Sequence, residues 1–166
     1  MTGFGKSGKG QIIYFNGDLA LGALGADVVI STEASSYALE EDFRILKMDI
    51  FASLVGLTEG QGLSVVLGLA DGELSDAEIE ECLTAKPDNT NDNVPLERSH
   101  RPVWPIESFV VETPSGDGAR LHAEWSQKWT FANPSGFQLF VYNFGPALST
   151  GATLHWFAKI YGVWVR

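Results

Sequence analysis

The sequence predicts an all-β protein: an antiparallel sandwich or Greek-key jelly roll of eight strands, with one short surface helix. Three observations predict it. Residues 120–131 alternate: Leu121, Ala123, Trp125, Trp129 and Phe131 share one phase, and Arg120, His122, Glu124, Ser126, Lys128 and Thr130 the other. Successive strand residues face opposite sides, so a period of two marks a sheet with one buried and one wet face. Short strand-like runs bounded by turn residues fill most of the chain, and a single helix is signalled.

In order, residues 1–10 (MTGFGKSGKG) hold four glycines and predict a flexible arm ahead of one domain over 11–166. Strand-like runs follow at about 11–15, 26–31, 43–56, 63–70, 103–111, 119–132, 136–144 and 152–165. The third sets Leu46, Met48, Ile50, Ala52 and Leu54 against Lys47, Asp49 and Ser53. The last is apolar in both phases: Leu154, Trp156, Ala158, Ile160 and Trp164 on one side, Phe157, Tyr161, Val163 and Val165 on the other. Such a strand belongs in a sheet centre or against another subunit. Residues 32–42 read equally as a second short helix or a linker.

The helix is expected over about 75–85. Ser75 with Glu78 three residues on forms a capping box, and Asp76, Glu78, Glu80 and Glu81 favour the positive end of the helix dipole. Ile79, Cys82 and Leu83 supply the inward stripe, and Pro87 prevents continuation. The stretch 87–95 (PDNTNDNVP) reads as a surface loop.

A chain of 166 residues, 45% hydrophobic and 19% charged, can bury a core without staples. The lone Cys82 excludes an internal disulfide, and its acidic neighbours disfavour the thiolate, so it reads as a plain half-buried residue. No apolar run reaches the length of a membrane span, and Met1 starts no signal-peptide pattern, so a soluble protein is expected. A net charge of −10 opposes broad nucleic-acid binding.

Candidate chemistry is sparse. Gly3 to Gly8 spells G-x-G-x-x-G, but no strand precedes it, Gly10 stands where a magnesium-binding hydroxyl belongs, and Ile12 to Phe15 reads as strand. The Asp88–Asn93 loop misses the EF-hand register and reads as a solvated turn. The carboxylates between Glu73 and Glu81 fall on the outer face of the helix. His122 and His155 lack a second His or Cys at ligand spacing, and the positive neighbours Arg98 and Arg101 of His100 oppose a cation. No catalytic residue, cofactor site or metal site is expected, and no enzyme.

The segment GLADGELSDAEIEECLTA delivers a strand into a capped helix, the arm GFGKSGKGQ leads to the first strand, and TLHWFAKIYGVWVR ends the chain. With these in order, the chain resembles the single jelly-roll coat proteins of small tailless icosahedral viruses. That resemblance implies a capsid subunit, present in many copies of a self-assembling shell in the virion and assembled in the host cytoplasm, with other virion proteins as further partners. It places subunit contacts on the arm (Phe4, Lys6, Lys9), on edge strands and on the C-terminal strand (Tyr161, Trp164, Val165, Arg166). The arm departs from the arginine-rich arms of RNA-virus coats. Two lysines allow at most weak nucleic-acid contact, which makes phage-like DNA viruses and archaeal viruses the nearer comparison. The alternative is a carbohydrate-binding, lectin-like sandwich with Trp104, Trp125 or Tyr142 as sugar platform. A cupin-type enzyme would need a set of interior histidines, which three scattered imidazoles do not provide.

Overall fold

The structure, a computed structural model, describes residues 10–22, 24–32, 42–57, 59–72, 74–84, 103–113, 119–126, 129–131, 137–148 and 152–165. Arm residues 1–9, most of the undecided segment (33–41), the Asp88–Asn93 loop, His100 and Arg166 lie outside them.

The elements are β1 (Gly10–Gly22), β2 (Val28–Ser31), β3 (Asp42–Val55), β4 (Gln61–Asp71), α1 (Asp76–Thr84), β5 (Val103–Thr113), β6 (Ala119–Trp125), β7 (Trp129–Phe131), β8 (Phe137–Asn143) and β9 (Ala152–Val165). They form two antiparallel sheets. The first runs β1-β9-β3-β6 with β7 also on β3, and the second runs β2-β8-β4-β5.

The pairs β1 with β9, β2 with β8, β3 with β6 and β7, and β4 with β5 nest inside one another. The chain is thus one long hairpin. Further ladders of β9 on β3 and β8 on β4 wind it into two layers. This is the jelly roll, and α1 lies where the capping box places it. Ser75 and Glu78 exchange hydrogen bonds: the Ser75 amide donates to Glu78 Oε2 at 2.9 Å and the Glu78 amide to Ser75 Oγ at 3.4 Å.

Between the layers Met48, Ile50 and Leu54 of β3 meet Leu63, Leu67 and Leu69 of β4, Phe137 and Leu139 of β8, and Leu154 and Ile160 of β9, all buried. The strand expected over 119–132 is divided into β6 and β7, and both halves pair with β3. Opposite that division β3 itself slips against β9 between Ile45 and Lys47. Leu46 is the extra residue of this bulge and is half-buried, so it does not join the inward phase expected of it. Phe43 and Ile45 face the core before the slip, and Met48, Ile50, Ala52 and Leu54 after it.

At one end, buried Asn143 joins two connections. Its Nδ2 donates to the Leu24, Gly25 and Pro146 carbonyls at 3.3, 3.0 and 2.9 Å, and its Oδ1 accepts from the Gly145 amide at 3.1 Å. Nearby, Asp27 adopts φ 58°, its amide donates to the Asn143 carbonyl at 2.8 Å, and its carboxylate accepts from the Tyr142 hydroxyl at 3.1 Å. Burial, with that hydrogen bond and charge, raises the Tyr142 phenol above its ordinary pKa.

Candidate functional site

The central position of β9 resolves its two apolar phases. Leu154, Trp156, Ala158 and Ile160 enter the core, while Phe157 and Tyr161 emerge on the outer face of the first sheet. Cross-strand register arranges that face in rows. One row holds Asn16, Phe157, Phe51 and His122; the next Tyr14, Lys159, Asp49 and Glu124. On one side of these lies Asp18, His155, Ser53 and Arg120, and on the other Ile12, Tyr161 and Lys47.

Five of the seven large apolar residues exposed among those described lie here: Ile12, Tyr14, Phe51, Phe157 and Tyr161, each between 37% and 57% accessible. Tyr14 stacks on Phe157 at 5.9 Å between ring centroids, and Phe51 lies nearly parallel to the His122 imidazole at 4.4 Å. Phe51, Phe157, His122, His155 and Arg120 line an open depression of about 450 Å³. A contiguous aromatic patch with a polar rim is the signature of a surface that associates.

Charges of both signs frame it. Lys47 Nζ lies 3.4 Å from Asp49 and 3.9 Å from Glu124. His155 Nδ1 lies 2.5 Å from Asp18 Oδ1. Asp49, His122 and Glu124 bring ligand atoms within 4.8 Å of one another, a grouping hidden in sequence because Asp49 and His122 come from strands far apart in the chain. The Lys47 ammonium already serves both carboxylates, so the grouping has its own counter-cation.

A second cleft, of about 540 Å³, opens between β1 and β2 and is lined by Asn16, Asp18, Ser31, Asp76 and Trp156. Its most enclosed carboxylate is committed: Asp76 Oδ1 accepts from the Ser31 amide at 2.9 Å and from its hydroxyl at 2.5 Å, tying α1 to β2.

Of the contact residues expected from sequence, Tyr161 stands on the open face. Trp164 is half-buried, packs edge-on against Phe43 at 4.8 Å and donates its indole N–H to Gln11 Oε1. Val165 pairs with Asp42 and is half-buried. Phe4, Lys6, Lys9 and Arg166 lie outside the described residues. Trp104 packs on the inter-sheet core and Tyr142 on the cluster outside the second sheet, so these two do not form one platform. His122 and His155 both sit on the outer face, away from the interior. Cys82 is half-buried on α1.

Fold and face together define a jelly-roll protein with an aromatic surface on one sheet that no described element covers. No family model and no curated protein matches the sequence. Among solved structures, the chain is similar to the X-ray structure of tomato aspermy virus, with a TM-score of 0.48 and 9% identity, over 93% of this chain and 79% of that one. It is also similar to the structure of nora virus, with a TM-score of 0.42 and 8% identity, over 95% of this chain and 61% of that one. Among the described residues no helix is long and apolar enough to cross a membrane.

Proposed function

We propose that this chain is a structural shell subunit, a capsid-type protein that assembles in many copies into a closed virion particle. The observation that carries this reading is the open aromatic face on a jelly-roll sandwich. Leaving five large apolar side chains in water is costly for an isolated molecule, and covering them against copies of itself repays it. Closed symmetric assemblies are built from repeated contacts of this kind.

In this reading the arm with Phe4, Lys6 and Lys9 reaches neighbouring subunits, as does the strand end with Tyr161, Trp164, Val165 and Arg166. Lys6 and Lys9 make at most weak contact with a genome, and other virion proteins are further partners. Assembly takes place in the host cytoplasm, and the weakly basic arm favours a phage-like virus. Electron microscopy of the purified chain is the test. Closed particles are expected, and deletion of residues 1–10 is expected to abolish them while circular dichroism retains the strand signal. A chain that stays dispersed under every assembly condition overturns the reading.

A further inference from the structure

We propose that the outer face of the β1-β9-β3-β6 sheet is a two-fold interface with a second copy of this chain, packed face to face about an axis that runs along the strands between β9 and β3. The proposal takes from the shell reading only the identity of the occupant.

The register of the sheet supplies the argument. Rotation about that axis keeps every row in place and exchanges the columns, so β9 lies over β3 of the second copy and β1 over its β6. In the central row Phe157 then meets Phe51 of the second copy. In the next row Lys159 meets Asp49 of the second copy, and in the outer row Asp18 meets Arg120. Two-fold symmetry makes each opposite-charge match twice, around an aromatic centre.

The alternative axis, across the strands along the aromatic row, is less complementary. It retains Arg120 against Glu124 but sets Lys159 against His155 and Asp18 against Tyr14, so one opposite-charge match stands where the first axis makes two. The charge pattern therefore selects one orientation of one partner. Aligned sheets pack about 10 Å apart, a distance that aromatic, Lys and Arg side chains from both faces fill.

The pair Asp18 and Arg120 gives a test that intrachain effects do not imitate. Within one chain they sit on β1 and β6, at opposite edges of the sheet and three strand spacings apart, roughly 14 Å. Sedimentation velocity of the full chain over a concentration series is expected to show a monomer–dimer equilibrium. Asp18→Arg alone and Arg120→Glu alone are each expected to weaken it at least about tenfold, about 1.4 kcal/mol. An equimolar mixture of the two variants is expected to recover the wild-type affinity, because the heterodimer holds one native and one exchanged pair and no like-charge contact. The double variant D18R/R120E recovers it as well. Both positions are exposed, and near-ultraviolet circular dichroism checks that each variant is folded.

A wild-type chain that remains monomeric overturns the proposal, and so does a dimer indifferent to both substitutions. Two weakened variants that fail to recover on mixing overturn the axis. A monomer that binds an oligosaccharide array through this face assigns it to another occupant and overturns the proposal too. Particle formation is read separately by microscopy. Particles from a chain with no sheet-face dimer leave the shell reading standing, and a dimer that never forms particles does the reverse.

Discussion

The two sheets of the sandwich treat their outward apolar residues in opposite ways. On the β2-β8-β4-β5 sheet, Val29, Ala70 and Phe140 point away from the main core and are buried, because α1 lays Ile79 over them with Leu74 and Leu83 alongside. The chain fixes this cover at its start: Gln138 Nε2 donates to the Asp71 and Leu74 carbonyls at 2.8 and 2.6 Å, which holds the turn into the helix. On the β1-β9-β3-β6 sheet, Phe51, Phe157, Tyr14 and Tyr161 occupy the same outward position and no described element covers them. Among the described residues one face completes its burial and the other does not. Under the proposed interface, what makes the subunit fold is thereby separate from what makes it associate.

The sharpest way to break this contrast is to cut into the covered face. Phe140 is fully buried, and its ring occupies the space above Gly68, where an added Cβ would strike the ring and lie 2.5 Å from the Trp104 carbonyl oxygen. Glycine and phenylalanine at this cross-strand pair are thus one packing unit. Phe140→Ala is expected to cost about 3–5 kcal/mol, since it removes a large buried ring and leaves a cavity under α1. Urea unfolding monitored by tryptophan fluorescence measures it. A loss below about 1 kcal/mol would mean that the helix contributes little cover.

A milder cut is made at the helix start. Ser75→Ala removes the hydroxyl that accepts from the Glu78 amide and donates to Glu78 Oε2, and leaves the backbone amide of residue 75 its bond to that carboxylate. The expected loss is about 1 kcal/mol. Restoration by Ser75→Asp, followed in the same urea series, separates the cap from simple side-chain loss.

How far these faces were legible in the sequence depends on the range of the interactions that form them. The capping box and the inward stripe of α1 are local, and both are present as read. The strands follow from period-two alternation or, for β4 and β8, from short apolar runs buried on both faces, and both signals are local. β1 extends to Gly22 and not to residue 15, because Asn16, Gly17 and Asp18 carry turn chemistry that the sheet overrides. Gly17 is used there for close approach: a Cβ would lie 3.1 Å from the Trp156 ring. The bulge at Leu46 escaped because alternation carries no mark of an inserted residue. The open face was half legible. Phe157 and Tyr161 showed as a second apolar phase of the last strand, whereas Phe51 was an apolar residue inside an otherwise polar phase. Tyr14 and His122 join them only through cross-strand register between distant segments, which alternation does not encode.

The smallest effect on stability falls on the open face and sharpens the comparison most. Phe51 is 48% exposed, stacks on His122 and contributes nothing to the inter-sheet core. Phe51→Ser is therefore expected to change the unfolding free energy of the monomer by no more than about 0.5–1 kcal/mol. Its effect on self-association is expected to be much larger, because an aromatic ring at the centre of an interface carries a disproportionate share of its binding energy. Urea unfolding at a concentration where the chain is monomeric, paired with sedimentation at higher concentration, reads the two quantities separately. A monomer strongly destabilised by Phe51→Ser would show that the ring serves the subunit's own packing, and the distinction between the two faces would fail. A folded variant that no longer associates places Phe51 on the side of assembly, with Phe140 as its counterpart on the side of folding.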